Sequence, residues 1–246
     1  MLHKVLRHFP LVPRLQYFFI LQEGSADMRW HKDKRIEIDD VLRHPVDAKG
    51  WKHFDCEFFY FAPDLRNVCL GLASDEFNPF SHMSTLYNLW FVMLNPYNLL
   101  PWKCMKKINF FMSLLIPSPR SFGRKINVYL QPLIGELKEL WNFGVRTYDS
   151  LTDQFFQLHA VLLWIINDFP AYGDLSRWSM KGYRACSICT DDRSSFGIRG
   201  IISLMRHRCY LLENHMWRRS RLHDGKVERR ASLMVMNGHE AWEQLD

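Results

Sequence analysis

The 246-residue chain has no apolar run approaching the ~18–20 residues that cross a bilayer. The N-terminal apolar stretch Tyr17–Leu21 is too short for a secretory h-region, and Pro10, Pro13 and Arg14 interrupt what precedes it. Cysteine is sparse, at six residues, and a chain of this length closes a core without disulfide staples. No internal repeat or low-complexity segment occurs, which excludes repeat arrays and biased linkers. Acid is in deficit, 26 Asp and Glu against 32 Lys and Arg, and the net charge of +6 favours a polyanion or an acidic surface as partner. These absences make an intracellular protein without a membrane anchor the expectation.

What is present starts with a core. Apolar residues make up 48% of the chain, enough to exclude general disorder. Two apolar runs each end in a lone aspartate: Val68-Cys-Leu-Gly-Leu-Ala-Ser-Asp75 and Ala160-Val-Leu-Leu-Trp-Ile-Ile-Asn-Asp168. A continuous apolar run reads as a strand buried on both faces. A carboxylate at its end reaches the rim of the sheet, where open α/β folds place their chemistry. An aspartate there also serves to cap a turn or helix. If Asp75 and Asp168 meet, they form a site for Mg²⁺ or Mn²⁺, because a divalent cation cancels the repulsion between two carboxylates.

The remaining pattern gives the order strand, strand, strand, helix, strand, helix. Residues 67–75, 86–94 and 110–116 read as strands with short connections, the third stopped by Pro117 and Pro119. Leu130, Leu133, Leu137 and Leu140 share one helical face, with Pro132 assigned to the first turn. Residues 156–167 read as a fourth strand, joined in parallel by a right-handed crossover. Pro10 and Pro13 are expected to break any helix near the N-terminus. Asp149 and Asp153 read as turn residues, and His31, His44 and His53 have no metal-ligand spacing. The order matches an RNase H-like core. The predicted organisation is an irregular N-terminal extension over 1–66, a partial core over 67–183 and a Cys/His insert with a basic tail over 184–246.

Cys186 and Cys189 form a C-x-x-C pair, and with His207 and His215 they complete a tetrahedral Zn²⁺ set. The alternative is two free thiols and two solvated imidazoles. Arg206, Arg208, Arg218, Arg219 and Arg221 concentrate charge beside this set and are candidate nucleic-acid contacts, against the plainer reading of a solvated surface.

Several strings together resemble the transposase of plant En/Spm-type (CACTA) DNA transposons. They include Arg66-Asn-Val-Cys-Leu-Gly-Leu-Ala-Ser-Asp-Glu-Phe-Asn-Pro-Phe80, Pro96-Tyr-Asn98, Tyr129-Leu-Gln-Pro-Leu133 and Ile166-Asn-Asp-Phe-Pro-Ala-Tyr-Gly173. The resemblance implies a DDE-type enzyme with an RNase H-like core and a Cys/His zinc-type insert. Asp75 and Asp168 fall at the places of its first two acids. The implied parent binds transposon-end DNA in the nucleus and cuts and rejoins it with Mg²⁺, using no small-molecule cofactor. Glu76 stands where the family has Gly after the first acid, so an altered loop at Asp75 is expected. Glu228, Glu240 and Glu243 lie near the C-terminus without the context of the third acid. The chain is therefore expected to be an inactive internal piece. The rival expectations are a non-catalytic zinc-dependent nucleic-acid-binding module and a structural remnant prone to self-association.

Overall fold

The computed structural model describes residues 5–35, 41–80, 88–118, 126–167, 195–198, 201–204, 208, 211–222, 225 and 227–231. The chain divides into two compact units, Met1–Arg177 and Trp178–Asp246. The first unit carries strands β1 (Arg7–His8), β2 (Val68–Phe77), β3 (Asn88–Pro96), β4 (Phe111–Ser118), β5 (Val145–Asp149), β6 (Gln154–Leu158) and β7 (Ala160–Asn167). Its helices are α1 (Leu11–Ile20), α2 (Gln22–Met28), α3 (Trp30–Asp33), α4 (Lys49–Glu57), α5 (Pro101–Cys104) and α6 (Ile126–Asn142). The fold is mixed α/β. Five strands form one sheet in the order β1-β4-β3-β2-β7, and β5 and β6 form a separate hairpin. The β2-β3-β4 meander is antiparallel, and β7 returns parallel to β2 after α6 and the hairpin. Among the described residues, no helix is long and apolar enough to cross a membrane.

The unbroken apolar run of β2 follows from cover on both faces. Val68, Leu70 and Leu72 join a core with Leu15 and Phe19 of α1 and Leu133 and Leu140 of α6. Cys69, which alternates to the other face, joins a second cluster with Trp51 of α4, Phe61 and Tyr97.

Several local expectations change. Pro10 and Pro13 do not prevent α1, because Pro10 is its N-cap and Pro13 lies in the first turn, where no intrahelical N–H is needed. The missing side-chain cap comes from α6. Glu136 Oε1 accepts from the Leu11 N–H at 2.9 Å, and its Oε2 meets His8 Nε2 at 2.9 Å. Helix α6 starts at Ile126, so Pro132 is interior rather than in the first turn. Packing of Ile126, Tyr129 and Leu130 on the core outweighs the backbone bond that proline removes. Pro117 continues β4 opposite Leu89, beyond the residues of β4 that β1 covers. The stretch read as one strand over 156–167 is two, divided at His159, with β6 in the hairpin and β7 in the sheet.

Asp149, read as a turn residue, is a fully buried carboxylate that ties three segments together. It accepts from the Ser25 hydroxyl of α2 at 2.5 Å, from Thr152 Oγ1 at 2.9 Å and from the Leu151 N–H at 3.0 Å, and it pairs with Arg29. Burial raises its pKa, but the Ser25, Thr152 and Leu151 donors and the Arg29 charge outweigh that and hold it below the usual carboxylate value.

Two imidazoles are buried on the other side of the ledger of charge. Burial, aided by the Lys32 charge, lowers the His31 pKa to about 4. Burial also lowers that of His44 to about 4 against the opposing pull of Asp47. Nδ1 of His44 accepts from the Val46 N–H at 3.2 Å, so the ring proton sits on Nε2, facing the Cys104 sulfur at 3.5 Å. Cys104, its thiol pushed up to about 12 by burial, donates onward to the Leu99 carbonyl at 3.1 Å.

Two expectations follow from these buried groups. Replacing Asp149 with Ala leaves the part-buried Arg29 and the buried Ser25 hydroxyl without their partner and lowers stability by about 3 kcal/mol, measured by urea unfolding. The histidines set a separate pH window. Above the ordinary pKa of 6.5 both states are neutral. Between 6.5 and about 4 the unfolded chain takes up protons that the folded chain refuses, so stability falls as pH drops through that interval. The urea midpoint therefore decreases from pH 7 to pH 4.5, and a His31→Gln/His44→Gln chain loses most of that slope.

Candidate functional site

Asp75 lies inside β2 rather than at its end, because β2 runs on to Phe77. It stands opposite Phe91 of β3, with its carboxylate exposed and Oδ1 accepting from the Glu76 N–H at 2.7 Å. Glu76 stands opposite Trp90 and accepts from Asn88 Nδ2 at 2.9 Å. The segment is regular strand, so the altered loop expected at Asp75 from the presence of Glu76 is not what the structure contains.

The neighbour of β2 on its other side is β7. Their ladder starts with Val68 opposite Ala160 and ends with Ser74 opposite Asn167. Asp75 is seven positions beyond Val68, and Asp168 is eight beyond Ala160. A bulge absorbs the mismatch: Leu70 pairs with Leu162, but Gly71 pairs with Trp164, leaving Leu163 as the extra residue. From there the strands advance in step to the residue before each acid. Asp168 itself lies outside the described residues. The last rung is reinforced by Asn167 Oδ1, which accepts from the Ser74 hydroxyl at 2.6 Å and from its N–H at 3.2 Å. Residue spacing alone marks neither the bulge nor this contact.

The second unit holds strands β8 (Ser195–Ile198) and β9 (Ile201–Leu204), paired as an antiparallel hairpin, and the helical turn α7 (Met216–Arg219). Of the predicted zinc ligands, Cys186, Cys189 and His207 lie outside the described residues. His215 caps α7, its Nδ1 accepting from the Trp217 N–H at 3.2 Å, which directs any metal to Nε2. Among the described residues no group of three or more His, Cys, Asp or Glu is placed to hold a metal ion.

The candidate arginines separate by environment. Arg206 lies outside the described residues. Arg208 and Arg218 are 5% and 2% exposed. Arg208 Nη1 donates to the Ser220 carbonyl at 2.9 Å. Arg218 donates to the carbonyls of Arg208 at 3.2 Å, Leu211 at 2.9 Å and Arg230. In return the Arg218 carbonyl accepts from the Glu228 N–H at 2.7 Å. Glu228 pairs with Arg230, which is the chief cause of its pKa falling to about 2. Arg219 and Arg221 are exposed.

A family model described as transposase family tnp2 matches residues 39–246. No curated protein and no solved structure matches the chain.

The two arginine environments predict opposite variants. Arg218→Ala leaves the carbonyls of Arg208, Leu211 and Arg230 without their donor, the first of them in a buried bond, and costs about 3 kcal/mol, since charged hydrogen bonds are worth about 1.5–3 kcal/mol each. Arg219→Ala changes stability by less than about 0.5 kcal/mol. Urea unfolding of the full chain separates them.

Proposed function

The chain belongs to the tnp2 transposase family, and from that premise we propose that it is a transposase-derived polypeptide of the En/Spm (CACTA) type. Its sheet is the first part of an RNase H-like core. The strand order β4-β3-β2-β7, with three antiparallel strands and then a parallel one after a helix, supports this assignment. One observation carries the proposal most directly: the β2–β7 ladder ends one residue before both Asp75 and Asp168. Adjacent strands are about 4.8 Å apart, so continuing in step brings the two carboxylates to one cation.

The residues fit a hard divalent ion, since Asp75 presents an exposed carboxylate from within β2. Bound Mg²⁺ or Mn²⁺ supplies the Lewis acidity that phosphoryl transfer needs. Asp75 and Asp168 would hold that charge, Asp75 being fixed by its place opposite Phe91 of β3. Glu228, Glu240 and Glu243 lack the context of a third acid, so the 246 residues grip a cation and bind DNA without cleaving it. We assign the segments as an N-terminal region over 1–66, the core over 67–183 and a zinc-type Cys/His insert with a basic tail over 184–246. In that insert Zn²⁺ is held by Cys186, Cys189, His207 and His215. Arg219 and Arg221, both exposed, take DNA phosphates, and the protein acts in the nucleus. The exposed Ile165 and Ile166 on β7 are where self-association starts.

A second reading, a non-catalytic DNA-binding module, is favoured by the exposed arginines next to the half-exposed Trp217. One set of assays separates the readings. Under the first, the purified chain binds Mn²⁺, monitored by electron paramagnetic resonance, and Asp75→Asn or Asp168→Asn abolishes binding. Supercoiled DNA stays intact. Salt-dependent DNA binding survives both substitutions and weakens in Arg219→Ala/Arg221→Ala. Nicking that disappears in Asp75→Ala overturns the inactivity. Mn²⁺ binding unaffected by either aspartate variant overturns the two-acid site and leaves the second reading.

A further inference from the structure

We propose that Ser74 and Asn167 are positioning residues that hold the two acids level. This rests on the two-acid reading above. Ser74 is 3% exposed, and both of its donors converge on one oxygen, Asn167 Oδ1. The contact joins the two residues that directly precede Asp75 and Asp168.

The two strands need this help unequally. β2 is held between neighbours, with Ser74 opposite Val92 and Asp75 opposite Phe91 on the β3 side. β7 is the edge of the described sheet and is held on one side only. Its backbone ladder to β2 stops at Asn167. An edge strand that loses its ladder frays or slips, and a slip of one residue moves every side chain to the opposite face. The bulge at Leu163 brings the strands into step, and the Ser74–Asn167 clamp fixes that step at the last rung. Asn167 Oδ1 is spent on two donors, so Asn167 acts through Asp168 rather than as a ligand itself.

The test is a cross-link that needs no metal. In the full chain carrying Asp75→Cys and Asp168→Cys, level positions on adjacent strands fall within disulfide reach. Oxidised glutathione is the oxidant, and peptide mass mapping identifies the 75–168 disulfide among the native cysteines. With the clamp intact the disulfide forms. Adding Asn167→Ala slows its formation at least tenfold. Adding Asn167→Asp, which keeps an acceptor oxygen, restores the rate. If Asn167→Ala does not fold, Ser74→Ala carries the comparison, with a smaller slowing expected because the Ser74 N–H bond persists. Equal rates with and without the clamp overturn its positioning role while the two-acid reading stands. Absence of the 75–168 disulfide in the clamp-intact chain overturns the two-acid reading, and the clamp's role with it.

Discussion

The parallel pairing of β2 with β7 is the constraint on which the rest of the first unit depends. It closes over more than 90 residues, and a parallel pair requires a crossover, which α6 and the β5–β6 hairpin provide. Such a closure has no local support and is repaid only by burial. Asparagine side chains secure both ends. At the entry, Asn67 Oδ1 accepts from the His159 N–H at 3.3 Å, and the His159 carbonyl accepts from the Val68 N–H at 2.9 Å. Asn98, fully buried, bridges the same corner: its Oδ1 accepts from the Cys69 N–H at 2.8 Å and its Nδ2 donates to the Asn67 carbonyl at 2.8 Å. At the exit, Asn167 holds Ser74. Buried polar groups matched this completely specify one register, where an apolar contact would tolerate several.

Between those ends sits the bulge, and its neighbourhood shows why the β2 run contains a glycine. The Tyr97 ring lies so close to Gly71 that a Cβ there would overlap it. Tyr97 in turn meets Trp164 edge-on, with ring centroids 5.6 Å apart. Trp164 is the residue at which the register has shifted. A missing side chain on β2 thus makes room for the ring that packs against the bulged strand.

The strands of the main sheet were legible as unbroken apolar runs; at Val68–Leu72 the run reflects cover on both faces, whereas Ala160–Ile166 of β7 reads the same although Ile165 and Ile166 are exposed. What escaped was whatever depends on partners far along the chain. The start of α1 is capped by Glu136, 125 residues away, so two prolines looked like a barrier. Asp149 does hold the β5–β6 turn, as its spacing suggested, but its pairing with Arg29, 120 residues away, had no mark in the local pattern. Arg208 and Arg218 resemble surface cations in any composition count, and only the carbonyls folded around them show otherwise. For the candidate site, the apolar runs marked the two strands that lead to the aspartates, though β2 runs past Asp75 to Phe77. The extra residue that brings their strands into step was not so marked, because one apolar residue among many carries no sign of a bulge.

The residue after Asp75 illustrates how strand geometry decides what a substitution does. The resemblance places a glycine there, and glycine matters where the backbone turns left-handed. Among the described residues, positive φ occurs at Asp153, Gly144 and Gly225, not at Glu76. Glu76 sits in extended ladder opposite Trp90 and spends an oxygen on Asn88. Its backbone therefore bears no strain from the larger residue. Alternation along β2 sends Glu76 to the face shared with Ser74, away from the face of Asp75. The added carboxylate thus changes the charge beside the clamp, on the opposite side of the sheet from the acid it follows. A divalent cation gripped by Asp75 would feel it through the sheet as a distant charge, not as a third ligand.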